Sequence, residues 1–291
     1  MSGPSTQPAS TMPPTMPLTG VAAGVPFLAV PPTAGPRTDA PVVLAWHLMD
    51  PPRTEAAFAA ALPLAGLDAW RIYLGLPMCG SRSPAGGFEE LMRLAFEDAV
   101  LNLHGPIAAQ GAAELPAALA ELRSTLALGE GPIGLLGGSL GAAVAQTVLA
   151  EGVVDVAAAV LVSPLVQLQF VVDAMSKRYG MTYEWSPASR AVARRLDFVA
   201  RADETASNGQ PAVLILVGAD DDEAGFLTPA AGLHEALAAR YTDSSRATLI
   251  TISGMAHALA DEPGIEPAPQ TPYAADADRH AVAWLQRHLR A

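Results

Sequence analysis

Residues 132–141 read PIGLLGGSLG, and this stretch decides the fold. Its short apolar run follows Gly129 and Pro132, which favours a buried strand over part of a helix. After Ser139, the residues up to Ala150 are rich in Ala, Val and Leu, and Gly152 is a typical stop, so a helix is predicted there. Ser139 therefore lies at a sharp turn between a buried strand and a helix.

This turn has the pattern G-x-S-x-G, with Gly137 and Gly141 two residues on either side of Ser139. A serine hydroxyl is a poor nucleophile unless it is held out of the sheet, close to a base and to donors for an oxyanion. A strained strand-to-helix turn does this and tolerates little bulk at the two glycine positions. The N-terminus of the following helix adds partial positive charge where negative charge develops. The pattern alone also arises by chance in a glycine-rich chain, so the strand–turn–helix context carries the interpretation.

The turn and its context resemble the nucleophile elbow of the α/β-hydrolase superfamily, in particular its serine esterases. The resemblance covers about residues 25–290. It implies that Ser139 is a catalytic nucleophile, that an acidic residue follows a later strand, and that a histidine follows the last strand, in that order. It implies no cofactor and no metal.

The rest of the chain alternates apolar strands with helices. The predicted strands are the one that enters the elbow and residues 25–30, 41–46, 68–76, 157–162, 212–217 and 247–252. Continuously apolar strands separated by helices predict an α/β fold, a doubly wound and mostly parallel sheet covered on both faces. Residues 25–30 end at two prolines and are predicted as an edge strand. Further helices are predicted after Thr54, over residues 89–104, from Pro116, from Thr228-Pro229 and from Thr271-Pro272.

The chain is expected to form a single α/β-hydrolase domain over residues 21–291, preceded by a disordered tail of residues 1–20. Residues 165–209 break the alternation of strand and helix, and the resemblance implies a small helical cap there. Several apolar and aromatic side chains of this insertion suit the wall of an apolar pocket. They are Met175, Tyr179, Met181, Tyr183 and Trp185.

Three consecutive carboxylates, Asp220, Asp221 and Asp222, follow the predicted strand at residues 212–217. The superfamily places a glycine, two further residues and then its acid at this point, so the resemblance selects Asp221 as the catalytic acid. Asp220 and Asp222 stay close alternatives. A solvated acidic turn without a catalytic role is the ordinary interpretation of such a cluster.

The chain has six histidines, and the order that the resemblance requires selects His257 as the catalytic base. His47 and His104 precede the acid, whereas His234, His280 and His288 lie inside predicted helices. His257 lies in a loop directly after the last predicted strand.

The oxyanion hole of the family uses two backbone N–H groups, and the first is that of the residue after the nucleophile, Leu140. The second comes from the loop after the strand at residues 41–46, where many relatives have His-Gly-x. This chain has His47-Leu48-Met49 there. By position Met49 supplies the second N–H, and Leu48 is the alternative.

Composition narrows the choice of partner and compartment. With 51% hydrophobic and 16% charged residues the chain is globular, and its net charge of −12 disfavours nucleic acid and anionic membranes as partners. Its one cysteine, Cys79, excludes an internal disulfide and a cysteine-based metal site. No apolar run is long enough to span a membrane, and no basic residue precedes Arg37, so no secretory signal is evident and a cytoplasmic protein is expected.

The sequence thus predicts a serine hydrolase that cleaves small-molecule carboxylic esters of short or medium acyl chain through an acyl-enzyme. Thioester or peptide hydrolysis on the same fold is an alternative, as is a non-catalytic member that binds a small ligand. A haloalkane dehalogenase is disfavoured, because those enzymes use a carboxylate at the elbow. Whether the chain forms a homo-oligomer is left open.

Overall fold

A computed structural model describes residues 16–35 and 37–290. Its strands are β1 (Leu18–Ala22), β2 (Val25–Val30), β3 (Val42–Trp46), β4 (Trp70–Leu74), β5 (Ile133–Gly138), β6 (Ala158–Val162), β7 (Ala212–Gly218) and β8 (Ala247–Ile252). They form one sheet in the order β1-β2-β4-β3-β5-β6-β7-β8. The pairs β1–β2 and β2–β4 are antiparallel, and all other pairs are parallel.

The central strands are buried on both faces, because successive side chains of a strand point to opposite sides and helices cover both. Leu44, Leu135 and Ile215 belong to one hydrophobic core, and Val43 and Leu214 belong to the other. The predicted α/β class with a doubly wound, mostly parallel sheet is confirmed.

The described part of the chain contains nine α-helices, of which eight lie between strands and the ninth follows β8. They are α1 (Glu55–Ala61), α2 (Gly87–Ala99), α3 (Gly105–Thr125), α4 (Leu140–Glu151), α5 (Leu168–Tyr179), α6 (Pro187–Arg195), α7 (Ala202–Ser207), α8 (Thr228–Ala238) and α9 (Pro272–His288). Their ends follow local capping rules. Thr54 accepts a hydrogen bond from the Ala57 amide, and Thr271 accepts one from the Ala274 amide. Gly152 ends α4 in the left-handed conformation, as predicted.

The N-terminal part of the prediction needs a correction. Leu18–Ala22 form strand β1, so the predicted disordered tail of residues 1–20 overlaps the sheet, while residues 1–15 lie outside the described residues. Because β1 pairs with β2, Val25–Val30 is an interior strand and the predicted edge position is wrong. Strand β1 left little signal, since Leu18 and Val21 are 45% and 60% exposed at the edge of the sheet and show no buried, alternating pattern.

Helix α3 begins earlier than predicted. The sequence placed its start at Pro116, but one continuous helix spans Gly105–Thr125 and contains that proline on its exposed side. A proline inside a helix removes the hydrogen bond to the carbonyl four residues earlier, here Ala112. Burial of Leu115, Leu119 and Leu122 on the opposite side stabilises the helix nevertheless.

The predicted helix over residues 89–104 is divided. Helix α2 ends near Asp98, whose extended backbone (φ −166°, ψ 98°) interrupts the helical path, and a π-helical turn at Val100–His104 leads directly into α3. The Asp98 carboxylate accepts hydrogen bonds from the Val100 and Leu101 amides and so caps this turn.

Cys79 lies buried in the loop after β4. Burial raises the pKa of its thiol to about 12, so the thiolate is essentially absent at neutral pH. Among the described residues, none of the helices combines the length and the apolar character needed to cross a bilayer.

Candidate active site

The sheet brings four loops to one edge, because all of them follow the carboxyl ends of parallel strands. Ser139 follows β5, Asp221 follows β7, His257 follows β8, and the loop with Met49 follows β3. The crevice at this edge is where open α/β sheets bind their ligands.

Ser139 occupies the turn between β5 and α4 in a strained backbone conformation, with φ 47° and ψ −113°. The turn fits only because its flanking residues are glycines. A Cβ atom at position 141 would lie 2.3 Å from the carbonyl oxygen of Trp46, and one at position 137 would lie 2.5 Å from the Cα of Ala142. The backbone therefore leaves no room for a side chain at either position, as the strained turn predicted.

The structure brings Ser139, His257 and Asp221 into one hydrogen-bonded chain. His257 Nε2 lies 2.9 Å from Ser139 Oγ, and His257 Nδ1 lies 2.8 Å from Asp221 Oδ2. A carboxylate can only accept a hydrogen bond, so Nδ1 carries the proton and Nε2 is left as the acceptor of the serine hydroxyl. This is the arrangement in which an imidazole can remove the proton from a serine.

The three candidate acids have different environments. The Asp221 side chain is 3% exposed, and its second oxygen accepts the amide of Asp222 at 2.7 Å. Asp222 turns away and caps the π-helical turn Glu223–Leu227 by accepting the Gly225 amide at 2.7 Å. Asp220 is exposed to solvent. Asp221 is thus the carboxylate that orients His257.

Two further side chains lie against His257, and neither was singled out from the sequence. The Phe226 ring packs on the imidazole with a centroid separation of 4.1 Å and an angle of 46°. Asp50 Oδ2 lies 3.7 Å from His257 Nε2, on the nitrogen that faces Ser139. The position of Asp50 directly after Met49 was the available sequence signal, whereas nothing in the sequence pointed to Phe226.

The loop after β3 is held from several directions. The fully buried Leu48 side chain occupies the space beside Gly138, and the Leu48 carbonyl accepts the Nδ1–H of His47 at 2.6 Å. The Met49 carbonyl accepts a hydrogen bond from Arg53 Nε at 2.9 Å. Burial lowers the pKa of His47, which keeps this ring neutral. Within the described residues, the amides of Leu140, of Met49 and of the alternative Leu48 donate to no other backbone or side-chain group, so all three remain candidate oxyanion donors.

Helices α5, α6 and α7 lie between β6 and β7, where the insertion was predicted. Its apolar side chains fall into two groups. Met175, Tyr179 and Met181 are exposed, while Tyr183 and Trp185 pack edge to face with centroids 4.8 Å apart. The Tyr183 hydroxyl also donates to the Asp98 carboxylate at 2.6 Å, which ties this segment to the end of α2.

A cleft of about 530 Å³ opens beside Asp221. It is lined by Lys177 and Arg178 from α5, by Asp220 and Asp222 from the acidic loop, and by small residues. The five side chains that were expected to form an apolar wall do not line this cleft. The charged character of the cleft comes in part from Lys177 and Arg178, two basic residues that were expected from the sequence to face solvent.

The residues that the structure describes contain no group of three or more His, Cys, Asp or Glu side chains placed to hold a metal ion.

The strand order and the nucleophile turn define an α/β-hydrolase fold, and this chain has that fold. No family model and no curated protein sequence matches it. It is similar in structure to TT1662 from Thermus thermophilus, with a TM-score of 0.62, 22% identity, and coverage of 95% of this chain and 100% of the other.

Two further solved structures show the same likeness at lower identity. A dienelactone hydrolase from Anabaena variabilis has a TM-score of 0.52 and 18% identity, over 94% of this chain and 99% of the other. An acylaminoacyl peptidase from Pyrococcus horikoshii has a TM-score of 0.61 and 13% identity over 97% of this chain, which spans 43% of the peptidase.

Proposed function

We propose that this protein is a serine hydrolase of carboxylic esters. The observation that carries the proposal is the continuous chain Ser139–His257–Asp221, with contacts of 2.9 Å and 2.8 Å at the carboxyl edge of the sheet. Three side chains from three separate loops form the serine–histidine–carboxylate series that nucleophilic catalysis requires. The imidazole carries its proton on Nδ1, which leaves Nε2 free to accept the serine proton. A small-ligand binder has no need of all three.

In this proposal His257 removes the proton from Ser139 as Oγ attacks the ester carbonyl. Asp221 holds the Nδ1–H and stabilises the imidazolium that forms. The imidazolium then gives its Nε2 proton to the leaving alcohol, and an acyl-enzyme remains on Ser139. Water, activated by the same nitrogen, attacks the acyl-enzyme and releases the carboxylic acid and free Ser139.

The developing oxyanion is assigned to the backbone N–H groups of Leu140 and Met49. Leu140 is the first residue of α4, so its amide points out of the helix N-terminus, where the helix dipole favours negative charge. Met49 follows the buried Leu48 and is half-buried beside the elbow. Donors of this kind stabilise the transition state more than the bound ester and so raise the rate.

The acyl chain of the substrate is proposed to be short or medium in length. Met49 and Phe226, both half-buried, offer limited apolar surface close to Ser139 and His257. Each buried methylene contributes about 0.8 kcal/mol, so kcat/KM should rise with acyl length until that surface is covered. An esterase and a dienelactone hydrolase among the solved structures of this fold are in keeping with an ester substrate.

The proposal is tested with a fluorophosphonate probe and a p-nitrophenyl ester series from acetate to palmitate. We expect covalent labelling of the wild type, a rate maximum before palmitate, and activity that persists in excess EDTA. Ser139→Ala should remain folded, lose labelling and lose about 10⁴–10⁶-fold in kcat. Thioesters and peptides serve as parallel substrate arms. Equal ester hydrolysis by the Ser139→Ala protein would exclude the mechanism.

A further inference from the structure

Asp50 places a second carboxylate on the reacting side of the catalytic base. Its Oδ2 lies 3.7 Å from His257 Nε2, the nitrogen that also contacts Ser139 Oγ at 2.9 Å. Asp221 accepts a hydrogen bond from the other ring nitrogen, Nδ1. The proposed ester hydrolysis uses Asp221 to orient the ring and gives no role to Asp50.

The charge of Asp50 acts on Arg53 without a direct pair between them, because Glu262 and, to a smaller degree, Asp50 raise the pKa of the Arg53 guanidinium. Arg53, three residues further along, is held by the Glu262 carboxylate and by the carbonyls of Met49 and Pro263. Within residues 16–35 and 37–290, the Asp50 side chain makes no hydrogen bond, and its ion-pair contact is with His257. Its side chain is 54% exposed, so it is accessible from solvent beside the catalytic base.

Asp50 lies close to the position expected for the leaving group of the ester. In the proposed reaction the leaving oxygen takes its proton from Nε2 and must therefore lie within hydrogen-bond distance of that nitrogen. Asp50 Oδ2 is 3.7 Å from the same nitrogen. A cation two or three bonds beyond the leaving oxygen can therefore approach this carboxylate while the carbonyl stays at Ser139.

The surrounding charges favour such a cation. Asp220, Asp222 and Glu223 are exposed on the neighbouring loop, and the chain carries a net charge of −12. Lys177 and Arg178 line the cleft together with Asp220 and Asp222, so they offset part of the charge of these two carboxylates, whereas Asp50 is not part of this lining. A negative potential at the mouth raises the local concentration of cationic substrates.

On the basis of the proposed function, we infer that Asp50 determines specificity and favours esters whose leaving alcohol carries an ammonium group. The substrate class is thus an ester of an amino alcohol or quaternary ammonium alcohol. The same carboxylate disfavours leaving groups with a negative charge, because like charges repel at this distance.

The test compares acetylcholine with its uncharged isostere 3,3-dimethylbutyl acetate, by pH-stat titration at low ionic strength. We expect the wild type to favour the cationic ester in kcat/KM by about three- to fivefold, the range of an exposed ion pair. Asp50→Asn should bring this ratio close to one through a loss on the cationic ester. Added NaCl at about 0.5 M should lower the wild-type ratio, since salt screens exposed charges.

The matched control is Asp155→Asn, which removes an exposed carboxylate before β6, at the opposite edge of the sheet. This control should leave the rates with both esters and their ratio unchanged. An equal ratio in wild type and Asp50→Asn overturns the inference, while Ser139-dependent hydrolysis of both esters keeps the proposed function. A uniform loss with both esters assigns Asp50 to positioning of His257 and also overturns it. Failure of Ser139 to support hydrolysis of either ester overturns both proposals.

Discussion

Ser139 is fixed by its backbone as much as by its side-chain contacts. Its amide donates to the Val162 carbonyl at 2.9 Å, and its carbonyl accepts the amides of Ala142, Ala143 and Leu165. A residue with φ of 47° persists in this conformation only where the surroundings hold it on several sides. These four hydrogen bonds bind the elbow to β6, to α4 and to the loop after β6, and they keep the hydroxyl directed at His257.

The role of Asp221 is tested by single substitutions in the acidic loop. Asp221→Asn should remain folded and lose about 10³–10⁴-fold in kcat, because the amide no longer holds the Nδ1–H tautomer of His257. Ester hydrolysis under saturating substrate is the measurement. Asp220→Asn is the matched control and should change kcat little, since Asp220 is exposed to solvent. A larger loss in Asp220→Asn or Asp222→Asn would contradict the assignment.

The sequence predicted the positions of Ser139, Asp221 and His257, because each of these residues follows a strand that is recognisable from its apolar run. The position after Met49 was a signal for Asp50, but local pattern could not reveal that Asp50 and Phe226 contact His257. Their contacts with His257 join loops that are far apart in the chain, and they depend on how those loops approach one another across the sheet. The assignment of Met49 still rests on its place in the chain.

At the scale of single elements, the misplaced start of α3 shows how burial can override a local signal. Proline at a first helical position is favourable, which made Pro116 a reasonable start. The structure extends the helix upstream to Gly105, where Ile107, Ala108 and Ala112 are buried. Tertiary contacts also override the local signal in β1. Its exposed residues form a strand because the edge of β2 offers free backbone hydrogen-bonding groups.

Replacing this proline should stabilise the protein. Pro116→Ala restores an N–H that can donate to the Ala112 carbonyl and should raise the free energy of unfolding by about 1–3 kcal/mol. Urea denaturation with an unchanged m-value is the measurement. Pro272→Ala is the control, because Pro272 is the first residue of α9 and lacks no helical hydrogen bond. Loss of stability in Pro116→Ala would mean that the helix begins at this proline in solution.

For the molecule as a whole, histidines whose pKa is lowered on folding make stability depend on pH. Burial lowers the pKa of His47 and of His104 in the folded protein. The unfolded chain takes up protons near pH 6.5 and the folded one does not, so stability falls as the pH drops below about 6.5. The slope approaches about 1.4 kcal/mol per pH unit for each histidine that stays unprotonated.

The measurement is the free energy of unfolding from urea titrations between about pH 7.5 and pH 5.5. Burial raises the pKa of Asp278, which acts in the opposite direction at low pH, so the comparison with variants is decisive. His104→Gln and His47→Gln should each show a shallower fall in stability than the wild type. Equal slopes in all three proteins would show that neither ring resists protonation.

Because Cys79 is buried, we expect the native protein not to react with thiol-labelling reagents. Cys79 is the one cysteine of the chain, and its sulfur is neither exposed nor ionised at neutral pH. A maleimide dye therefore reports a single cysteine introduced at an exposed position, without prior removal of the native thiol. Met181, exposed close after α5, offers such a position, from which fluorescence can follow the segment between β6 and β7 during turnover.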